Sequence, residues 1–482
     1  MLRSSPHKRT AVLTVLLALL LSLLGSVATA SAAEVTVPNG GQFSDTSGNP
    51  VRAHGGGVIK VGTYYYWFGE NRNADNTFRY VSAYRSTDLK NWQFRRHVLT
   101  QATDPELKDA NIERPKVVHN KATGKFVMWM HKENGSDYGE ARAAVAVSDT
   151  VDGDYSWKGS FRPQGHMSRD LTLFVDTDGT GYMISAANEN RDLHVYRLSS
   201  DYQSVAAQVQ KLWAGQSREA PAMFKRNGVY FLLTSGATGW SPNQQRYGTA
   251  TSVTGTWSGL KDVGDATSYR SQTAYVLPVQ GSEGTDYLYL GDRWGNATGG
   301  TVNDSTYVWL PLEFPTSTTM TMDYSPRITI DAAAGTVTGM DGPWETLTAA
   351  HSGKCADVSG FSMAESAPLV QYGCGTGVNQ QFRLDDAGDG YVRIMARHSG
   401  KCVTVSGGSS VDGAKAVQNT CGDATSQQWK AEPATGGAVR LVARHSGKCL
   451  DVRDVSGADG AALQQWACDS GAANQRWQRT TV

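Results

Sequence analysis

The chain has 482 residues, more than one typical domain holds, so we expect two or more domains. It carries 45 Lys plus Arg and 45 Asp plus Glu, which gives a formal net charge of zero. A nucleic-acid-binding protein would favour a basic patch, and no block of like charge occurs in this sequence. The composition therefore argues against nucleic acid as a partner.

Residues 1–32 have the pattern of a secretory signal peptide. A basic start with Arg3, Lys8 and Arg9 precedes an apolar run over residues 11–24, and small residues around Ala30 form a cleavage site. The apolar run is shorter than a typical membrane span. We therefore expect a secreted, extracellular protein that has no membrane contact after cleavage.

One pattern recurs five times between residues 33 and 340: a polar or glycine position, an apolar strand, a turn and an aromatic strand. The equivalent positions are Gly55, Glu113, Asp170, Glu219 and Gln272, in steps of 58, 57, 49 and 53 residues. Self-similarity at such a period is typical of repeat architectures, and successive strands of this kind favour radially arranged blades. The prediction is an all-β protein that begins with a five-bladed β-propeller, with these positions at the inner mouth.

Three carboxyl groups and one amide would then surround one axis. Hydrolysis of a glycosidic bond usually takes two carboxyl groups, one that protonates the leaving oxygen and one that activates water. A third carboxylate can keep the pKa of the acid high through like-charge repulsion. A single acid at the start of a strand is usually a solvated or hydrogen-bonding residue. Glu113, Asp170 and Glu219 share one repeat position, which favours a functional set.

The propeller region resembles glycoside hydrolase family 43. The resemblance implies that Glu219 is the general acid and that Asp170 modulates its pKa. Most of the family has its general base, an Asp, in blade one, where this chain has Gly55. That absence, together with Glu113-Arg114-Pro115 and Glu219-Ala220-Pro221, is similar to the exo-β-1,3-galactanase subfamily.

Likeness to that subfamily implies that Gln272 positions or activates the attacking water and that Glu113 binds the sugar. It also implies inversion of the anomeric centre. Glu113 as the base itself remains an open alternative. No metal site and no cofactor are expected. Further candidates for the sugar site are Tyr138, Asn188, Asn190, Thr238 and Trp240.

The region from 341 to 482 repeats the motif HSGKC at His351, His398 and His445, with a period of 47. Its six cysteines fall into pairs 19 residues apart, and in an exported chain such spacing implies disulfides. The predicted pairs are Cys355–Cys374, Cys402–Cys421 and Cys449–Cys468. Each repeat ends in Gln-x-aromatic, and the region resembles the ricin-B-type β-trefoil, carbohydrate-binding module family 13.

That resemblance implies galactose-binding sites in two of the three repeats. The third repeat matches the ricin pattern through Asp451, Gln464, Trp466, Asn474 and Gln475. The first repeat matches it through Asp357, Tyr372, Asn379 and Gln380. The second has Thr404 in place of the Asp, so we expect it to be structural.

The sequence therefore predicts a monomeric exo-β-1,3-galactanase that removes galactose from the non-reducing end of β-1,3-galactan, the main chain of arabinogalactan. Residues 33–340 would carry the catalysis and residues 341–482 would hold the polysaccharide. One alternative is an exo-acting arabinofuranosidase or xylosidase of the same family. The absence of an Asp at the position of Gly55 argues against this alternative. The other is a non-catalytic two-domain lectin, which the missing Asp favours.

Overall fold

The computed structural model describes residues 1, 34–340 and 342–482, so the expected signal peptide, apart from Met1, lies outside the described residues. The described residues form strands and short 3₁₀ turns, with no α-helix among them. This part of the chain also contains no helix that is long and apolar enough to span a bilayer. The predicted all-β class is confirmed.

The N-terminal region contains 22 strands within the described residues. They are β1 (Val35–Pro38), β2 (His54–Val61), β3 (Tyr64–Arg72), β4 (Phe78–Ser86), β5 (Gln93–Thr100), β6 (Asn111–His119), β7 (Phe126–Glu133), β8 (Arg142–Ser148), β9 (Ser156–Phe161), β10 (Leu171–Val175), β11 (Gly181–Ala187), β12 (Asp192–Leu198), β13 (Val205–Leu212), β14 (Arg218–Arg226), β15 (Val229–Gly236), β16 (Gln245–Ala250), β17 (Lys261–Val263), β18 (Gln272–Gln280), β19 (Thr285–Arg293), β20 (Thr306–Leu312), β21 (Arg327–Asp331) and β22 (Thr336–Gly339). The 3₁₀ turns in this region are Pro105–Leu107, Pro163–Gly165, Gly295–Thr298 and Val302–Asp304.

Five antiparallel sheets follow one another along the chain: β2–β5, β6–β9, β10–β13 and β14–β17 with four strands each, and β18–β20 with three. The first strand of each sheet lies beside the first strand of the next, and β18 lies beside β2. Apolar clusters fill the spaces between neighbouring sheets, and the cluster between the last and first sheets contains Trp67, Trp92 and Trp309. The five sheets therefore form a closed ring.

The N-terminal segment completes the last sheet of the ring. Gly40 N donates to Tyr307 O at 2.8 Å, and Tyr307 N donates to Gly41 O at 3.1 Å, so residues 39–41 extend the edge of β20. The buried Asn39 side chain donates to Trp309 O at 2.6 Å and accepts from Trp309 N at 2.6 Å. Strand β1 then pairs with β21, which follows the last sheet. The two ends of the ring region are thus joined.

The repeated Glu-x-Pro motifs form bulges at the start of their strands. Pairing shifts register directly after Glu113 in β6 and Glu219 in β14. The next residues, Arg114 and Ala220, have φ of 56° and 48°. A β-bulge re-aims side chains and tolerates proline in a strand, because the ladder is interrupted there. The bulges therefore direct both carboxylates away from the ladder and into the mouth of the ring.

The C-terminal region contains twelve described strands, which form one sheet system. They are β23 (Glu345–Ala349), β24 (Cys355–Val358), β25 (Ala367–Tyr372), β26 (Phe382–Gly388), β27 (Tyr391–Ala396), β28 (Cys402–Val405), β29 (Ala416–Asn419), β30 (Gln428–Pro433), β31 (Val439–Ala443), β32 (Cys449–Val452), β33 (Leu463–Trp466) and β34 (Trp477–Thr481). Its 3₁₀ turns are Ser359–Phe361, Val378–Gln380, Ser406–Gly408, Thr425–Gln427, Thr435–Gly437, Arg453–Val455 and Ala473–Gln475.

Each repeat of this region uses its motif residues for structure. The predicted disulfides, Cys355–Cys374, Cys402–Cys421 and Cys449–Cys468, are all present. The three HSGKC histidines donate through Nε2 to backbone carbonyls 2.9–3.0 Å away, one repeat contacting another. Strands β23 and β34 pair, so the two ends of the region meet. The repeats therefore brace one another around a shared apolar core.

The two regions also contact each other. Tyr324 Oη donates to His398 O at 2.5 Å, and Arg397 Nε donates to Tyr324 O at 2.9 Å. Val378 belongs to the same apolar cluster as Tyr269 and Tyr324. The interface therefore combines hydrogen bonds to the backbone with apolar packing.

Candidate active site

A cavity of about 370 Å³ lies at the mouth of the ring. It brings together seven of the residues that the sequence predicted, namely Glu113, Asp170, Glu219, Gln272, Tyr138, Asn190 and Trp240. Other side chains that line it are Glu70, Arg72, Arg114, His131, Arg169, Glu189 and Trp294. Asn188 and Thr238 do not line the cavity. Asn188 donates to Asp192 and Thr238 donates to the backbone of Ser241.

The first sheet contributes a carboxylate from an unpredicted position. A Cβ atom on Gly55 would lie 2.4 Å from Glu70 Oε1, and the φ of Gly55 is 62°. Glu70 belongs to β3 and is paired with His54 across the ladder. The space beside Gly55 is therefore filled by the side chain of Glu70. Sequence reasoning missed this residue, and the hairpin register of β2 and β3 is the signal that points to it.

Glu113 is held as a carboxylate by two hydrogen-bond donors and a nearby histidine. Arg72 Nη2 donates to Glu113 Oε1 at 2.7 Å and to Glu70 Oε2 at 2.7 Å. Tyr138 Oη donates to Glu113 Oε1 at 2.8 Å, and His131 Nδ1 lies 3.1 Å from Glu113 Oε2. Burial raises the pKa of Glu113, but Arg72 and His131 outweigh it and hold the pKa well below its usual range. Glu113 is therefore ionised and a weak proton acceptor.

Arg114 fixes the amide of Gln272. Its Nη2 donates to Gln272 Oε1 at 2.5 Å and lies 3.0 Å from Asp170 Oδ2. Trp294 Nε1 donates to the same amide oxygen at 2.7 Å. Guanidinium and indole groups can only donate hydrogen bonds, so the amide must present its oxygen to them. Its nitrogen is thereby directed at Glu219 Oε1, 3.0 Å away.

Glu219 has no cationic hydrogen-bond partner in the described part of the chain. Its carboxyl group accepts from Gln272 Nε2 and, at 2.9 Å, from Asn190 Nδ2, and both are neutral amides. Burial and the negative charge of Asp170 raise the pKa of Glu219 to about 8, against the lowering effect of Arg114. Glu219 is therefore protonated at neutral pH. Asn190 Oδ1 is buried without a partner among the described residues, so a rotated amide would present an acceptor to this proton.

Three potential metal ligands also meet in the cavity, although the sequence predicted no metal site. Single ligand atoms of Glu113, His131 and Asp170 lie within 4.8 Å of one another. Both carboxylates already contact guanidinium groups, from Arg72 and Arg114. A metal cation would have to displace these contacts and would meet their positive charge. The charge pattern therefore disfavours a metal ion.

Residues 48–298 match the family described as glycosyl hydrolases family 43. The chain belongs to this family. Three overlapping segments, residues 336–419, 388–466 and 425–482, match the family described as ricin-type beta-trefoil lectin domain-like. The comparison with curated proteins found no match.

Several solved structures are similar to this family 43 chain. An exo-β-1,3-galactanase from Clostridium thermocellum is 48% identical, with 93% of this chain and 100% of that chain covered and a TM-score of 0.66. An exo-β-1,3-galactanase from Phanerochaete chrysosporium, solved with galactose, is 28% identical, with coverages of 89% and 99% and a TM-score of 0.63. A family 43 β-1,3-galactosidase, solved with galactodeoxynojirimycin, is 33% identical, with coverages of 60% and 99% and a TM-score of 0.57.

Two repeats of the lectin-like region of this family 43 chain assemble the predicted polar clusters. In the third repeat, Asp451 accepts from Gln464, Asn474 and Gln475 at 2.9, 2.8 and 3.1 Å. Trp466 stands beside this cluster with 45% of its surface exposed, which leaves a ring face for stacking.

At the equivalent positions, the first repeat also has a carboxylate cluster, whereas the second repeat has none. In the first, Asp357 accepts from Asn379 and Gln380, both at 2.9 Å, and Tyr372 is 51% exposed. In the second, Thr404 Oγ1 donates to the backbone oxygen of Cys402 at 2.9 Å. A hydroxyl group held in this way supplies no carboxylate to a ligand.

The pKa of Glu219 gives the family 43 site a testable pH dependence. Asp170→Asn removes a negative charge that raises this pKa and leaves Arg114, which lowers it. Glu219 then loses its proton at lower pH. We expect the alkaline limb of the pH profile of kcat/KM to move down by roughly one unit, since that profile reports the free enzyme. Asp178→Asn, in an exposed turn, is the control. An unmoved limb with full activity would exclude Asp170 from this role.

Proposed function

We propose that the protein is a secreted, inverting exo-β-1,3-galactanase that releases galactose from the non-reducing end of β-1,3-galactan. One observation carries the proposal. Glu219, a carboxyl group with amide partners and a pKa of about 8, shares a cavity with Asp170 and Gln272. Similar solved proteins bear the name exo-β-1,3-galactanase, and one of them, a variant, was solved with β-1,3-galactotriose. A β-1,3-linked galactose chain fits this cavity, because the carboxylate, amide and guanidinium groups that line it can hydrogen-bond to sugar hydroxyl groups.

We also propose the domain organisation. Residues 1–32 are a signal peptide, residues 33–340 a five-bladed β-propeller, and residues 341–482 a β-trefoil. The closed ring of five sheets and the extents of the two family matches support this division. Three disulfides support export, because disulfides persist in oxidising compartments. The protein is proposed to act as a monomer on arabinogalactan-type polysaccharide.

In the proposed mechanism, protonated Glu219 gives its proton to the glycosidic oxygen of the leaving chain. Asp170 keeps this proton in place through its negative charge. Gln272 orients the water whose oxygen bonds to the anomeric carbon as the glycosidic C–O bond breaks, and the proton that this water loses passes to the solvent. Glu113, a weak proton acceptor, binds sugar hydroxyl groups. Gln272 Nε2 also donates directly to Glu219, so the amide that orients the water contacts the acid as well. Inversion requires room for water on the face of the sugar opposite the acid.

In the same proposal, the trefoil holds the enzyme on its polysaccharide. The aspartates of the first and third repeats, Asp357 and Asp451, fix sugar hydroxyl groups, and Tyr372 and Trp466 offer exposed rings. An aromatic side chain of this kind commonly dominates a small binding site. The second repeat keeps the scaffold and lacks the carboxylate.

Glu219→Gln tests the catalytic role directly. Loss of the acid should lower galactose release from β-1,3-galactan by about 10²–10⁴-fold. An aryl galactoside with a good leaving group should be partly spared, because its departure needs less protonation. Thin-layer analysis of the products also separates the alternatives. Pentose from arabinoxylan would favour the arabinofuranosidase or xylosidase, and no product from any glycan would favour the non-catalytic lectin.

A second comparison separates Gln272 from Glu113. Gln272→Ala should lower kcat by about 10² or more with a modest change in KM, because oriented water matters chiefly in the transition state. Glu113→Gln should chiefly raise KM. The roles would be reversed if Glu113→Gln were far more damaging to kcat and azide rescued that variant alone.

The lectin role rests on two residues that can be removed together. Asp357→Ala combined with Asp451→Ala should abolish retention on galactan in affinity electrophoresis, while activity on short soluble oligosaccharides persists. Thr404→Ala, at the equivalent position of the second repeat, is the matched control and should change nothing. Retention that survives the double substitution would show that the polysaccharide is held elsewhere.

A further inference from the structure

We propose that one wall of the first trefoil sugar site is held by the catalytic region, through Arg270, whereas the third site is built by the trefoil alone. Binding of galactose at the first site should then depend on Arg270. This inference rests on the proposed lectin role of the trefoil and goes beyond it, because it makes one of two similar sites conditional on the neighbouring domain.

Phe361 forms one wall of the first site. A cavity of about 420 Å³ is lined by Asp357, Gly360, Phe361, Tyr372 and Gln380, among others. The backbone of Phe361 has a φ of 55°, and Val455, at the equivalent position of the third repeat, has a φ of 51°, so the turn conformation is common to the repeats. The contacts of the Phe361 side chain, and not its backbone conformation, distinguish the first site.

The turn that carries Phe361 contacts the catalytic region. Arg270 Nη1 donates to Gly360 O at 3.0 Å, and the guanidinium group lies over the Phe361 ring, 5.4 Å from its centre. Phe361 also packs against the apolar cluster between the fourth and fifth sheets of the ring. The turn that carries the cavity wall is therefore fixed from outside the trefoil.

Arg270 is itself held rigidly. Ser268, Tyr269 and Arg270 have φ of 50°, 58° and 62°, an unusual run of left-handed residues. Arg270 N donates to Thr267 Oγ1 at 3.1 Å, and Arg293 Nε donates to Tyr269 O at 3.0 Å. The backbone that carries Arg270 is thus anchored, and its guanidinium group is oriented by the bond to Gly360 O. Such preorganisation lowers the entropy cost of binding.

The third site lacks this support. The 47-residue period places Val455 at the position of Phe361 and Gly408 at the same position in the second repeat. Val455 is 60% exposed, whereas Phe361 packs against the apolar cluster of the ring region. The two sugar sites therefore share their polar cluster and differ in how this wall is held.

The test uses the full-length protein with one site left at a time. In the Asp451→Ala background, where the first site remains, Arg270→Ala should weaken galactose binding by about 5- to 10-fold in calorimetry. In the Asp357→Ala background, where the third site remains, the same substitution should change nothing. Arg226→Ala is the matched control, since Arg226 lies over Phe314 in the ring region, 4.4 Å from the ring centre.

A double-mutant cycle adds a second readout. Phe361→Val gives the first site the residue of the third, and Arg270→Ala should then cost much less affinity than it does beside Phe361. Equal affinity with and without Arg270 at the first site would overturn the inference and leave the lectin role intact. Equal losses at both sites would also overturn it. If the Asp451→Ala protein binds no galactose, the lectin role of the first site fails, and this inference falls with it.

Discussion

Charge pairing in a buried space governs the mouth of the ring. A buried charge is costly unless it is paired and hydrogen-bonded. Glu70 and Glu113 share the guanidinium group of Arg72, and Asp170 contacts that of Arg114. Glu219 is left with neutral amide partners, and its pKa rises to about 8. The pairing that keeps Glu113 ionised is thus absent at Glu219, which keeps a proton to give. Substitutions in this network should act on the pKa of Glu219 as well as on stability.

The backbone makes this arrangement possible. The first strand of each sheet begins at the mouth, and the bulges after Glu113 and Glu219 direct their carboxylates into the cavity. Residues 39–41 pair with the edge of β20 and thereby complete the last sheet of the ring. Asp292 then fixes the start of β2, where its carboxylate accepts from Gly55 N at 2.9 Å. The position of each cavity residue thus follows from strand pairing and ring closure together.

In the trefoil, the residues that hold the scaffold together are different from those that form the carboxylate clusters. All three repeats keep the disulfide and the histidine contact to a neighbouring repeat, while the carboxylate cluster occurs in two of them. Scaffold residues are held by the core that all repeats share, so each repeat needs them. Each proposed sugar site is local to its repeat, so the loss of one site leaves the core unchanged. The first site alone adds a contact from the catalytic region, through Arg270.

The sequence by itself determined the all-β class, the five repeated strand starts, the disulfide pairs and the carboxylates Glu113, Asp170 and Glu219, because these follow from short-range periodicity and spacing. It also indicated Gln272. Only the tertiary structure decided which groups surround them. Arg72 contacts Glu113 across 41 positions of sequence, and Arg114 contacts Gln272 across 158. Neither contact can be recognised from a local sequence pattern, because the two residues of each pair lie in different sheets that meet only in the folded ring. Glu70 fills the space beside Gly55 through the register of the β2–β3 hairpin. Asn188 and Thr238 lie outside the cavity although their neighbours line it.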